Sequence, residues 1–158
     1  MAQSLASLHI HLIFSTKNRQ ALLSENIRPD LHAYMATVLN NLGCPALLIN
    51  SMDDHVHLLF DLSRTVSVST AVEEVKKTSS KWIKTKVGSF SRFAWQAGYG
   101  ALAVSESNVA EVRAYIANQA SHHRKRSFQE EYRFFLERHG IAYDERYVWD
   151  QAISMRIF

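Results

Sequence analysis

Three features of the sequence predict a single α+β domain. Four segments alternate apolar and polar residues, or run apolar, with the period of a strand: Leu8 to Ser15, Ala46 to Ser51, His55 to Leu62 and Phe93 to Ser105. Between them lie two segments, Pro29 to Leu42 and Ser67 to Val87, whose apolar residues recur at helical spacing. Two further helical segments follow the last strand. The 158 residues suffice for one well-buried core and are few for two. We therefore expect one domain over residues 1–158, with its core from about Leu8 to Trp149.

The first strand sends Leu8, Ile10, Leu12 and Phe14 to one face and His9, His11 and Ile13 to the other. Ser24 and Glu25 resemble a helix start. The helix that follows carries Leu31, Tyr34, Met35, Val38, Leu39 and Leu42 inward, and Gly43 sits where a helix stop belongs. The second and third strands are joined by a tight turn at Met52-Asp53-Asp54. In the next helix Val68, Val72, Val75, Ser79, Trp82 and Ile83 point inward and the lysines outward. Phe93 to Ser105 reads as a fourth strand or ribbon, with a bend or bulge at Gly98 and Gly100. Ser107 or Asn108 can cap a helix from Val109 to about His122, with Glu111 completing the start. A last helix runs from Phe128 to His139 and is closed by Gly140. The tail from Ile141 is rich in aromatics and is expected to pack on a surface. The order βαββαβ with appended C-terminal helices is that of a ferredoxin-like antiparallel sheet, in which the first and third strands are central neighbours.

Composition narrows the function classes. Apolar residues make up 47% of the chain, and no apolar run reaches the length of a membrane span. The stretch Met1 to His11 lacks the pattern of a secretory signal, and the lone Cys44 cannot form an internal disulfide. A cytoplasmic, membrane-free protein is expected. The net charge is +3 and the pI about 9.1. Three basic clusters stand out: Lys17 with Arg19, then Lys76, Lys77, Lys81, Lys84, Lys86 and Arg92, then His122, His123, Arg124, Lys125 and Arg126. Any one of them could be a solvated helix face. Together they favour a polyanion as partner.

The chemistry centres on Asp54-His55-Val56-His57-Leu58-Leu59. Residues two apart on a strand share a face, so His55 and His57 present two imidazoles side by side while Val56 enters the core. Such a pair is the start of a divalent metal site. His9 and His11 form the same pattern, and spacing alone does not choose between the pairs. On the helix from Val109, Tyr115 and Gln119 are four residues apart and share a face. A tyrosine hydroxyl can attack phosphorus when the phosphate is polarised, and a glutamine carbonyl can serve as an oxygen ligand for Mg²⁺ or Mn²⁺.

With these motifs the chain resembles the single-tyrosine HUH transposases of the IS200/IS605 insertion sequences and the related REP-associated tyrosine transposases. The resemblance spans roughly Leu8 to Trp149. It rests on His9-Ile10-His11-Leu12-Ile13-Phe14-Ser15-Thr16-Lys17, on Asp54 to Leu59, on Phe93-Ala94-Trp95-Gln96-Ala97-Gly98-Tyr99-Gly100, and on Tyr115-Ile116-Ala117-Asn118-Gln119. It implies that Tyr115 is the nucleophile, that His55, His57 and Gln119 hold Mg²⁺ or Mn²⁺, and that His9 and His11 are near the site or face DNA. It further implies transesterification on single-stranded DNA with hairpin ends through a 5′-phosphotyrosine. A homodimer is expected, with the tyrosine helix contributed in trans, acting in the cytoplasm at a prokaryotic nucleoid. Lys17, Arg19, Lys76, Lys77, Lys81, Lys84, Arg124 and Lys125 are candidate DNA-backbone contacts, and Trp95 and Tyr99 candidate stacking platforms, with core packing favoured for both. Two alternatives stay open: a metal-dependent nuclease that uses water, and a domesticated or ferredoxin-like nucleic-acid-binding protein without turnover.

Overall fold

The computed structural model describes residues 2–86, 92–123 and 126–149, with only the backbone at His122 and His123. Four strands and five α-helices follow in the order β1 (His9–Ser15), α1 (Arg28–Asn41), β2 (Ala46–Ser51), β3 (His55–Asp61), α2 (Val68–Lys84), β4 (Gly100–Val104), α3 (Val109–Ala117), α4 (Gln119–His123) and α5 (Phe128–Arg138). The sheet order is β2-β3-β1-β4 and every pairing is antiparallel. This is the ferredoxin-like arrangement expected from the element order, with helices appended. Among the described residues no helix is long and apolar enough to cross a membrane.

Strand parity divides the molecule into two layers. Leu12 and Phe14 of β1 and Val56, Leu58 and Phe60 of β3 turn to one face. There they pack with Leu31, Met35 and Leu39 of α1 and Val72, Val75 and Ile83 of α2. Ile13 and Leu102 turn to the other face and pack with Phe128, Tyr132, Phe135 and Leu136 of α5. Because helices cover both faces, the central strands β1 and β3 are buried almost throughout. The second layer is thinner in apolar contacts, since β1 and β3 place His9, His11, His55 and His57 on that face.

Helix boundaries follow local chemistry. Pro29 lies in the first turn of α1, where a missing N–H is harmless. Gly43 ends that helix with φ of 74°, and Gly140 ends α5 with φ of 66°. Ser67 and Ser127 cap α2 and α5, each accepting from a backbone N–H three residues on.

Two expectations differ from the fold. The strand expected from Phe93 begins only at Gly100, because 93–99 are spent on tying down the exit of β1. Gln96 Oε1 accepts from the Ser15 N–H at 2.7 Å, and Lys76 Nζ donates to the carbonyls of Gln96 and Gly98. The single helix expected from Val109 to His122 is interrupted at Asn118, whose ψ of 27° ends α3 before α4 begins. Trp95 is a core residue rather than a stacking platform: its ring meets Phe14 and Phe93 edge-on, and its Nε1–H donates to Ser79 Oγ at 3.0 Å.

Gly100 opens β4 directly beneath α5. A Cβ there would lie 2.6 Å from Tyr132 Cε2, too close for any real contact. Overpacking of this kind costs about 1–3 kcal/mol. Gly100→Ala is therefore expected to lower the melting temperature by several degrees in a calorimetric scan, and an unchanged midpoint would show that α5 is free to shift.

Candidate active site

His55 and His57 stand on the α5 side of β3 and are fully buried. Each imidazole is held through Nδ1. His55 Nδ1–H donates to Asp54 Oδ1 at 2.6 Å, and His57 Nδ1 lies 2.8 Å from His11 Nε2. Both rings thereby turn Nε2 toward one carboxylate, that of Glu131 on α5. Glu131 Oε1 lies 2.8 Å from His57 Nε2 and 3.4 Å from His55 Nε2. The carboxylate is entirely buried. Its second oxygen accepts a hydrogen bond from the Tyr115 hydroxyl.

Tyr115 reaches this cluster from α3. The helix is pinned to the sheet at its C-terminal end, where Asn50 Nδ2 on β2 donates to the Ile116 carbonyl at 2.8 Å. The tyrosine ring then lies 6.2 Å from the His57 ring and edge-on to Phe135 at 5.2 Å. Burial, the hydrogen bond to Glu131 and its negative charge all push the phenol well above the ordinary tyrosine range, while the Arg126 guanidinium opposes them. Burial lowers the pKa of His55, but Asp54 and Glu131 outweigh it and the net shift is upward. Burial holds His11 well below the usual histidine value, reinforced by His57, so His11 is neutral at pH 7.

One ligand atom each from His55, His57 and Glu131 lies within 4.8 Å of the others, and the carboxylate oxygen is only 2.8 and 3.4 Å from the two imidazole nitrogens, so the three converge on one point. Two imidazole nitrogens and a carboxylate oxygen form a donor set suited to a borderline first-row ion more than to Mg²⁺. The restraint of both rings through Nδ1 is the support that metal-bound histidines require. These three residues could therefore hold a metal.

Glu131 was not foreseen in the sequence, although a signal exists. Phe128, Glu131, Tyr132, Phe135 and Leu136 form the buried stripe of α5, and a glutamate in such a stripe needs partners. Gln119 is buried at the start of α4, beyond the break at Asn118, so it and Tyr115 do not stand on one continuous helix. Of the other histidines, His11 touches the site through His57. His9 does not: its ring is clasped between Asp61 and Glu106 at the opposite end of β1, and the hydrogen bond it donates to Glu106 raises its pKa. Within the chain, the anchored end of α3 leaves Tyr115 over β3, with its ring beside that of His57.

The basic candidates divide. Lys17 and Arg19 are exposed on a short 3₁₀ turn after β1. Lys81 and Lys84 are exposed on α2, which packs on the sheet face away from the histidines. Lys77 pairs with Glu74 at 2.9 Å. The Lys76 ammonium is committed to internal carbonyls, and burial lowers its pKa to about 8, so it is a tether of the 93–99 segment. Arg124 and Lys125 lie outside the described residues. Tyr99 is partly exposed, with Lys76 over its ring.

Comparison with known proteins agrees with this geometry. The family described as IS200-like transposases matches residues 4–119. The ISDra2 transposase TnpA of Deinococcus radiodurans is 26% identical over 117 residues, covering 71% of this chain and 84% of the relative. The crystal structure of a candidate transposase from Deinococcus radiodurans superposes with a TM-score of 0.59 at 25% identity, covering 75% of this chain and 98% of that one. A REP-associated tyrosine transposase, solved bound to a REP hairpin, shares the fold with a TM-score of 0.59 at 16% identity, over 78% of this chain and 74% of that one.

Glu131 contributes both a hydrogen bond and a charge to the Tyr115 shift, and Glu131→Gln removes the charge. Tyr115 should then titrate nearer the ordinary tyrosine range, with burial and the hydrogen bond to the amide oxygen still raising it, as read from ¹³C-labelled tyrosine spectra at alkaline pH. A folded-state pKa above the unfolded one stabilises the protein below about pH 10 and is lost as pH rises past it. The variant should accordingly lose less stability between neutral and strongly alkaline pH. An unchanged titration would mean that the contact with Glu131 does not govern the phenol.

Proposed function

The chain belongs to the IS200-like transposase family, DNA-cleaving and strand-transferring enzymes, and from that premise we propose that it cleaves and rejoins single-stranded DNA through Tyr115. The observation that supports this most is the single carboxylate of Glu131, shared between the Tyr115 hydroxyl and the Nε2 atoms of His55 and His57. A nucleophile, a proton acceptor and a metal-ligand set are thereby gathered at one buried point.

In the proposed reaction Tyr115 Oη attacks the scissile phosphorus while its proton passes to Glu131. The bond from phosphorus to the 3′-oxygen breaks, leaving a 5′-phosphotyrosine and a 3′-oxygen that takes up a proton. Rejoining is the reverse: a 3′-hydroxyl attacks, and Tyr115 leaves as its proton returns. The phosphotyrosine keeps the phosphodiester's energy, so no nucleotide triphosphate is needed. His55 and His57, with Glu131 and Gln119, are the residues proposed to hold Mn²⁺ or Mg²⁺, with the nitrogen donors favouring Mn²⁺. A divalent ion held there supplies Lewis-acid polarisation of the phosphate. Asp54 and His11 keep the two imidazoles turned the right way.

The REP-associated relative is described bound to a hairpin, and hairpin ends are the proposed substrate here also. Lys17 and Arg19 are proposed backbone contacts. A homodimer remains the proposed assembly for moving an element with two ends.

The test is covalent trapping on a denaturing gel with single-stranded DNA carrying the element's own ends and Mn²⁺. A protein–DNA adduct should form, should vanish with chelator, and should be absent in Tyr115→Phe. Cleavage without an adduct would replace this reading by a water-using nuclease. A second expectation concerns His11. His11→Phe removes the contact that His11 makes with His57 Nδ1, so Mn²⁺ affinity measured by calorimetry should fall about 10–100-fold. An affinity equal to that of the wild type would remove His11 from the site.

A further inference from the structure

Beside Tyr115 the fold leaves a solvent-open cavity of about 400 Å³ between α3, α5 and the end of β4. That volume lies within the roughly 300–1,000 Å³ of small-molecule sites. Its lining has a division of labour that the cleavage chemistry does not use. Phe134 carries two guanidinium groups at its ring, with Arg126 Cζ 4.5 Å and Arg138 Cζ 6.0 Å from the centroid. Guanidinium planes held this way keep their N–H edges for an anion and offer flat faces to a base. From α3 come Glu111 and Asn108, both exposed at the rim and both able to accept hydrogen bonds. A carboxylate in the wall of a cationic pocket disfavours a bare phosphate. It suits a ligand that is anionic at one end and a hydrogen-bond donor at the other.

We infer that this cavity holds one nucleotide of the DNA strand adjacent to the phosphate that Tyr115 attacks, and that it prefers a base bearing an exocyclic amino group. The inference rests on the reading of Tyr115 as nucleophile, since Tyr115 itself forms part of the wall. Arg126 and Arg138 take the nucleotide's phosphate, the base lies against the wall that Phe134 and the guanidinium groups form, and its amino group donates to Glu111 or Asn108. The strand would thus be fixed on one side of the scissile bond by a pocket built into the same chain, aligning the phosphate with Tyr115 Oη. Thymine, which offers only its ring N3–H in place of an amino group, would be the poorest occupant.

The test uses the whole protein, ¹⁵N-labelled, titrated with dAMP, dCMP, dGMP and dTMP in separate ¹H–¹⁵N correlation experiments, with inorganic phosphate as the comparison probe. Expected are amide shifts confined to Asn108 to Val112 and Phe134 to His139, produced by at least one amino-bearing nucleotide, weakest with dTMP and absent with phosphate. Arg138→Ala combined with Phe134→Ala should abolish them. Glu111→Ala should weaken the preferred nucleotide about tenfold, as loss of a charge-assisted hydrogen bond does, and weaken dTMP less. The dispersion of each spectrum reports whether the variant is folded. Equal shifts with phosphate, shifts centred elsewhere, or none at millimolar nucleotide would overturn the inference. Covalent trapping is scored separately. An adduct without nucleotide shifts overturns the cavity alone, whereas nucleotide shifts without an adduct support the cavity and overturn the role of Tyr115.

Discussion

The Glu131 carboxylate is the group on which the rest of the site depends. It is fully buried, and a buried charge is tolerated only when its oxygens are satisfied. Here one oxygen faces two imidazoles and the other faces the Tyr115 hydroxyl. Breaking such a buried arrangement by deleting one partner is worth about 3–5 kcal/mol, an appreciable part of the stability of a domain this size. The constraint therefore works in both directions. Glu131 positions the nucleophile and the histidines, and they in turn allow α5 to lie on the sheet with an acid in its apolar stripe.

Placement of that carboxylate follows from the pleat of the sheet. Strands β1 and β3 must bury both faces, because helices cover each side. One face is filled with aliphatic and aromatic side chains and is ordinary core. The other alternates histidine with Ile13 and Leu59 and cannot be closed by apolar contact alone. Packing α5 against it is possible because Phe128 and Phe135 cover imidazole rings, as Phe128 does His55 at 4.6 Å, while Glu131 supplies the polar partners. The site is thus the polar part of a second, smaller core, held on the two most rigid strands.

This division explains what could be read from the sequence. The parity of His55 and His57, the central position of β3 and the ferredoxin-like order all follow from period-two and helical patterns, which depend on local residues. Tyr115 was likewise legible through its motif. Glu131 was not, because its meaning lies in which element α5 packs against, and the glutamate resembles the exposed acids Glu130 and Glu137 until that packing is known. The break at Asn118 turns on one residue's ψ, which no apolar pattern records. Lys76 misled for the same reason. It lies among exposed lysines in the chain, yet its ammonium serves the irregular segment before β4, and that segment's path is a tertiary fact.

A phenol held far from ionisation beside its own proton acceptor is at first sight a poor nucleophile. In a reaction that must run both ways it is well matched. A tyrosine whose phenolate were strongly stabilised would attack readily, and water would face a better leaving group once the phosphotyrosine had formed. Keeping the proton shared with Glu131 makes the forward attack and the reverse departure use one hydrogen bond, so neither direction needs bulk water to deliver or remove a proton. Arg126, the charge that opposes the upward shift, lines the neighbouring cavity. An anionic occupant of that cavity would screen its charge. In the proposed reaction the strand itself would therefore complete the electrostatics of the nucleophile, which ties the start of chemistry to correct seating of the DNA.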